Sequence, residues 1–259
     1  MSEFITTEDR GHIRLIGLNR PDKRNAFTTG MIVELAQAYS DLARDPNIRC
    51  GVLFAHGPMF TAGLDLAEVA PRLMSGDHNL LGGAEIDPWG VHAARCPKPM
   101  VVAIHGKCLT LGIELALSAD IVVADETASF AQIEIARGIF PFGGATVRMA
   151  QAGGYQNAMR WLLTADEFGP EDARRLGLVQ DITAPGQALE RAIAIADRIS
   201  AQAPLGVAGT LKSARHALTD PDAALAAIFD DVMSLFGTED ARAALIAFMT
   251  KQTPAFTGR

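Results

Sequence analysis

A chain of 259 residues, 49% hydrophobic and 20% charged, supports one large core or two smaller ones and is too apolar to stay disordered. Its formal net charge of -7 gives bulk electrostatics no pull toward nucleic acid or an anionic membrane, so an anionic ligand has to be held by local basic groups and backbone N–H donors. The three cysteines, Cys50, Cys96 and Cys108, lack C-x-x-C spacing, which disfavours a disulfide framework or a zinc site and fits buried thiols in a reducing cytosol.

In chain order, residues 3–18 alternate polar and apolar around Glu8-Asp9-Arg10-Gly11 and predict a β-hairpin. Asn19-Arg20-Pro21-Asp22-Lys23-Arg24-Asn25 is a polar loop with three basic residues. Met31, Leu35, Ala38, Tyr39 and Leu42 stand at helical spacing and predict a helix over 29–44, ended by Asp45-Pro46-Asn47. Residues 50–55 read as a buried strand. Phe60-Thr61-Ala62-Gly63-Leu64-Asp65-Leu66 opens a helix near Leu64 or Asp65, and the glycine signals from 71 to 87 predict a mobile or irregular segment. Further strands are expected over 100–104 and 120–124, with a helix carrying Glu114 between them. Strand, glycine-bearing turn and helix recur, the signature of βα units with parallel strands. After residue 185 helical patterns dominate, over 188–200, 205–218, 223–236 and 239–249, and the ending 253–259 is expected to fray. The amino terminus shows no basic region leading into an apolar run, and no apolar stretch approaches the ~20 residues of a membrane span, so the expectation is a soluble cytoplasmic protein.

Two glutamates stand out because each lies in an apolar stretch, where an ionised carboxylate is costly without a partner or a task. Glu114 follows Thr110-Leu111-Gly112-Ile113, where Thr110 is a candidate N-cap for a helix starting at Leu111. The first N–H groups of such a helix lack intrahelical acceptors. In a dry site one of them can stabilise a developing oxyanion by about 3–4 kcal/mol, and otherwise the turn is an ordinary one facing water. Small residues in 60–66 repeat that logic, with Asp65 alternatively a first-turn acid that complements the helix dipole. Glu134, between Ile133 and Ile135, is either a catalytic carboxylate or the acid of a buried ion pair with a base such as Arg137. His56, His78, His92 and His105 are scattered without metal spacing, and Gly-x-Ser-x-Gly, Walker and Gly-x-Gly-x-x-Gly motifs are absent.

These residues also carry a resemblance. Asn19-Arg20-Pro21 with Asn25-Ala26, then Phe60-Thr61-Ala62-Gly63-Leu64-Asp65-Leu66, Lys98-Pro99 and His105-Gly106 match the crotonase superfamily, the enoyl-CoA hydratase/isomerase family. So do Gly112-Ile113-Glu114-Leu115-Ala116, Asp120-Ile121, Phe130-Ala131-Gln132-Ile133-Glu134, Gly138, Pro141-Phe142-Gly143-Gly144-Ala145 and the Ala-x-x-x-Gly-Leu-Val pattern over 173–179. The similarity spans essentially the whole chain and is specific as a set. It implies an α/β fold, the ClpP/crotonase-like spiral of ββα units, with the core and acyl-CoA site in residues 1–185 and a helical trimerisation region in 186–259.

By position, the resemblance implies that the N–H groups of Leu64 and Leu111 form an oxyanion hole. Glu114 and Glu134, twenty residues apart, fall on the two carboxylates that hydratases of the family use. Lys23 and Arg24 match a region that contacts CoA phosphates. Backbone at Ala26, Ala62 and Leu66 flanks adenine and pantetheine, and Gly63, Asp65, Thr110, Gly112 and Phe142 are further implied substrate-binding positions. Lys251, with Phe248 before it, resembles a lysine contributed to CoA across a subunit boundary. The implied partners are an acyl-CoA thioester and further copies of the chain, as a homotrimer or homohexamer, with no nucleic acid and no membrane. No metal or redox cofactor is implied, since CoA arrives with the substrate.

Where relatives often have a glycine run, this chain has Thr110-Leu111-Gly112, and Leu111 is expected to add bulk and forgo left-handed conformations. The segment 71–90 is expected to shape the acyl pocket. The implied reaction is hydration of an enoyl-CoA. Double-bond isomerisation by Glu134 alone, thioester hydrolysis, or non-catalytic acyl-CoA binding are the alternatives.

Overall fold

Alternation at the start of the chain produces the expected hairpin. In the computed structural model, which describes residues 4–77 and 79–259, β1 (Ile5–Arg10) and β2 (Ile13–Leu18) pair antiparallel, with Gly11 in the turn at φ +59°. Glu3, the first residue of that expected hairpin, and His78 lie outside the described residues, as do Met1 and Ser2. The helix α1 (Thr29–Arg44) starts where the Thr28 hydroxyl accepts from the Met31 N–H, and it buries Met31, Leu35, Ala38, Tyr39 and Leu42 as their spacing predicts. β3 (Cys50–Ala55) follows.

The next helix, α2 (Leu66–Met74), differs from expectation at both ends. It starts after Asp65, which leaves Leu64 in extended backbone bridged to Phe27. It also runs through Pro71, whose fixed φ is helical although the ring removes one donor and crowds the carbonyl four residues back, so the irregular segment starts at Ser75. That segment is anchored rather than loose around Asp87: the buried carboxylate accepts from the N–H groups of Trp89, Val91 and His92 at 2.8–2.9 Å.

After β4 (Met100–Ile104) come β5 (Lys107–Leu109), α3 (Leu111–Ser118), β6 (Ile121–Asp125) and β7 (Ser129–Ala131). The chain continues through α4 (Ala145–Gly153), α5 (Tyr155–Leu162), α6 (Pro170–Arg175) and β8 (Asp181–Thr183). β5, β7 and β8 were not expected, because three residues are too few to display a period. The main sheet has the order β1-β2-β3-β4-β6-β8 and is parallel beyond the hairpin, while β5 and β7 form a separate parallel pair.

Both faces of the sheet are covered, which is why its central strands read as continuous apolar runs. One face carries Leu53, Val102, Ile104 and Val122 into the larger core. The other carries Val52, Val101, Ala103 and Val123 against α7 (Ala188–Ser200), whose Ala188, Ala192 and Ala196 form a small-residue stripe that lets it lie close. α8 (Pro204–Ala217), α9 (Pro221–Leu235) and α10 (Glu239–Thr250) complete the chain. The expected fraying of 253–259 is not observed. The Asp240 carboxylate accepts from the N–H groups of Thr257 at 2.7 Å and Gly258 at 2.9 Å, and Arg49 donates to the Phe256 carbonyl at 2.7 Å.

Candidate active site

The site is assembled from two backbone turns and two carboxylates. The first turn is fastened by Asn25, fully buried, whose amide donates to the carbonyls of His56 at 2.8 Å and Met59 at 3.0 Å. The Ala62 N–H donates to the Arg24 carbonyl, and the Thr61 hydroxyl donates to the Asn25 carbonyl. Phe27 then pairs with Leu64 as a single parallel bridge, in which the Phe27 N–H donates to Gly63 O at 2.8 Å and Asp65 N–H donates to Phe27 O at 2.9 Å. In a parallel pair the bridged residue's own N–H points away from the partner. The Leu64 N–H therefore faces the opposite side, and among the described residues no acceptor takes it.

The second turn is the start of α3. Thr110 stands at the N-cap position, but its side chain makes no capping bond, contrary to the expectation from sequence. Its N–H donates to Ala131 O at 3.0 Å, and its carbonyl accepts from Ile113 and Glu114 at 2.9 and 3.2 Å. The residue with positive φ is Thr110, at φ +50° and ψ -114°, whereas Leu111 is the first helical residue; the conformational departure lies one position before the one expected. Such backbone costs a β-branched residue on the order of 1–3 kcal/mol. Among the described residues no acceptor takes the Leu111 N–H either.

Glu114, on the buried side of α3, is 0% exposed. Its Oε1 accepts from Gly143 N–H at 2.7 Å and Ala145 N–H at 3.0 Å, while Oε2 is buried without a partner among the described residues. Burial pushes its pKa up, opposed by the Ala145 and Gly143 N–H bonds and the Arg148 charge. Glu134 begins a single 3-10 turn, Glu134–Arg137, and is 5% exposed. The ion pair with Arg137 left open by the sequence is not formed, since Arg137 is exposed and no basic group contributes to the Glu134 titration. Burial raises the Glu134 pKa to about 7, and the Glu114 charge adds to the rise.

Gln132 was missed as a participant, although a lone amide between Ala131 and Ile133 was a signal. With its nitrogen turned toward the carboxylate, the buried Gln132 amide donates to both Glu134 oxygens at 3.0 Å and to Thr110 O at 3.3 Å. It thereby ties the second carboxylate to the α3 turn.

These groups border a cleft of about 170 Å³ lined by Ala62, Leu64, Leu66, Thr110, Leu111, Ile133, Glu134, Arg137, Ile139 and Phe142. Ile133, Arg137 and Ile139 were not anticipated as lining residues. Glu114 lies behind this lining. A smaller recess shares Leu111 and Phe142 and is closed by Leu80, Leu81 and Trp89 from the segment after α2, with Trp89 Nε1 donating to Leu111 O at 3.0 Å.

The remaining residues named from sequence are placed differently. Gly63 and Gly112 are points of close approach, where a Cβ would come within 1.8 Å of Thr110 Oγ1 and 2.4 Å of Thr61 Cγ2, respectively. Asp65 accepts from Arg20 at 2.9 Å, and the same guanidinium donates to Ala26 O, so Asp65 secures the first turn instead of lying in the first turn of α2. Lys23 and Arg24 are exposed on the polar loop. Phe248 is 83% exposed and Lys251 caps α10; neither borders the cleft of this chain.

Gly143 offers a direct test of how tightly the first carboxylate is held. A Cβ there would lie 2.6 Å from Glu114 Oε2 and 2.9 Å from its Cδ. Gly143→Ala is therefore expected to lower stability by about 1–3 kcal/mol in denaturant titration, because the crowded carboxyl has no room to retreat.

The layered parallel sheet, the two unpaired turn N–H groups and the cleft beside two buried carboxyls belong to the crotonase class of α/β proteins. A sequence profile described as enoyl-CoA hydratase/isomerase matches residues 8–259. The chain belongs to that family. An enoyl-CoA hydratase of Mycobacterium tuberculosis is 34% identical, with 97% of this chain and 96% of that protein covered. The 2,3-dehydroadipyl-CoA hydratase of Escherichia coli K12 is 33% identical over the full length of both. Among solved structures, a probable enoyl-CoA hydratase/isomerase from Mycobacterium abscessus superposes with a TM-score of 0.97 at 49% identity, covering 100% of each chain.

Proposed function

We propose that this protein hydrates the 2,3-double bond of an enoyl-CoA thioester. The observation that carries the reading is the pair of unpaired N–H groups, Leu64 and Leu111, opening on the cleft that also takes Glu134. A thioester oxygen placed between them is polarised, and the enolate character that develops during addition is stabilised by preorganised dipoles. Glu114 takes a proton from water as its oxygen bonds to C3, and Glu134 gives its proton to C2. Burial raises both pKa values, and the division rests on the groups around each carboxyl. Glu134, raised to about 7 with no cation beside it, holds its proton in a large share of molecules at neutral pH. Glu114, despite burial, has two N–H bonds and the Arg148 charge favouring its anion. The water oxygen and one of its protons end on C3, the proton given by Glu134 ends on C2, and return of the proton taken by Glu114 to Glu134 through solvent completes the cycle.

In this proposal Lys23 and Arg24 meet the CoA phosphates. Backbone at Ala26, Ala62 and Leu66 flanks the cofactor moiety, and the recess beside Leu80, Leu81 and Trp89 receives the acyl tail. Phe248 and Lys251 act on a neighbouring subunit's CoA in a trimer or dimer of trimers, a reading supported by the exposed apolar side chains of α9 and α10, among them Leu225, Phe229 and Leu245. No helix among the described residues is long and apolar enough to cross a membrane. The three thiols are free and buried, consistent with a cytoplasmic setting.

A second reading, a double-bond shift run by Glu134 alone, draws on the fact that Glu134 borders the cleft while Glu114 lies behind it. Incubation with enoyl-CoA thioesters of graded length tests both. Hydration removes the conjugated-thioester absorbance and adds one water to the product mass, whereas isomerisation leaves the mass unchanged. No loss of absorbance with any chain length would sink the hydratase proposal.

A further inference from the structure

Gly63 and Thr110 each immediately precede one of the two N–H donors, and their side-chain positions interlock. A Cβ on Gly63 would fall 1.8 Å from Thr110 Oγ1 and 3.1 Å from Thr110 Cβ, so the threonine side chain fills the space directly above the Gly63 Cα. Each partner is braced from behind. Gly63 O accepts from Phe27 and Gly63 N–H donates to Thr61 Oγ1 at 3.0 Å, while Thr110 N–H donates to Ala131 O.

Thr110 keeps this place against two costs. Its Oγ1 is buried with no hydrogen-bond partner among the described residues, and its backbone lies at φ +50°, where glycine is at ease and a β-branched residue is not. A hydroxyl that bonds nothing and a side chain that strains its own backbone point to a steric role.

We propose that Thr110 is a positioning residue that sets the spacing and direction of the oxyanion donors. The ψ of Thr110 aims the peptide bearing the Leu111 N–H, and the wedge of its side chain on Gly63 keeps that peptide from relaxing or from closing on the Leu64 turn. The inference rests on the assignment of Leu64 and Leu111 as thioester-binding donors in the proposed function. It adds that this chain replaces the conformational freedom of a glycine with a fixed contact between the two turns.

The test compares Thr110→Gly and Thr110→Ser with the parent enzyme by steady-state hydration kinetics, thermal melting, and the absorbance of a bound cinnamoyl-CoA carrying an electron-donating para substituent. That chromophore shifts to longer wavelength as its carbonyl is polarised, so it reports on the donors without requiring the glutamates to turn over. Thr110→Gly relieves the positive φ and is expected to melt no lower than the parent. Its kcat is expected to fall about tenfold or more through misaligned donors. KM should move less than about threefold, so the loss lies in the transition state. The red shift of the bound chromophore should shrink in parallel. Thr110→Ser retains the Cβ and Oγ and should restore both kcat and the shift.

Parental kcat and red shift in Thr110→Gly overturn the proposal. So does a Thr110→Ser as impaired as the glycine variant, or a Thr110→Gly with a lowered melting temperature and a rise in KM as large as its fall in kcat. A parent enzyme that neither hydrates any enoyl-CoA nor shifts the chromophore refutes the donor assignment itself, an outcome distinct from an active parent indifferent to Thr110.

Discussion

Glu134→Gln is expected to lower kcat for enoyl-CoA hydration by about 10²–10⁴, the span typical of a lost general acid. The amide cannot give a proton to C2, yet it matches the carboxyl in size, so the cleft keeps its shape. The pH profile carries the same information. With a folded-state pKa of about 7, Glu134 loses its proton as pH rises through neutrality, and hydration by the parent enzyme should decline above about pH 7. That descending limb should be missing from the residual activity of Glu134→Gln.

In Glu134→Gln, stability should move in the opposite direction to activity. The ordinary value for this carboxyl is 4.5, so between pH 4.5 and 7 the folded state binds a proton that the unfolded state has released. Stability therefore falls as pH rises through that window, and above it the full cost of a buried anion is present. At about 1.4 kcal/mol per unit, that cost approaches ~3 kcal/mol. Glu134→Gln should be more stable than the parent at pH 8 by up to that amount, with the gap closing toward pH 5. Denaturant titrations at the two pH values check it, and an unchanged gap would show that Glu134 does not carry the raised pKa.

Glu114→Gln is expected to cost hydration a similar factor of about 10²–10⁴ by removing the base that activates water. Two features make this a clean substitution. The glutamine oxygen can accept from Gly143 and Ala145 as Oε1 does now, and the amide nitrogen takes the place of Oε2, which has no partner to lose. KM should therefore change little. The variant also separates the two chemical readings, because a double-bond shift run by Glu134 alone would survive it. Retention of full hydration by Glu114→Gln would remove Glu114 from the mechanism.

How much of the site is legible in the chain depends on how local its causes are. Glu114 and Glu134 stood out because each is an acid amid apolar neighbours, and the family pattern aligned them with a thioester site. Their different surroundings were not legible. Glu114 is gripped by N–H groups 29 and 31 residues away, and Glu134 lacks the cation that Arg137, three residues on, suggested. Gln132 had a sequence signal without a direction, since only the folded chain turns its amide toward Glu134 and the Thr110 carbonyl. The anchoring of the carboxyl-terminal tail escaped notice for the same reason: Asp240 and Arg49 reach it across the fold.

By itself the sequence determined the elements with a full period of burial. The spacing of Met31, Leu35 and Leu42 specified α1, and the apolar runs at 50–55 and 100–104 specified β3 and β4, because these patterns depend on neighbours a turn or a pleat away. Tertiary structure alone decided which backbone N–H groups stay free. Leu64 faces the cleft because Phe27 pairs with Gly63 and Asp65 on the other side. Leu111 faces it because Thr110 is held at φ +50° between Ala131 and Gly63. A backbone donor is free or satisfied according to what remote segments present to it, and that no local pattern can encode.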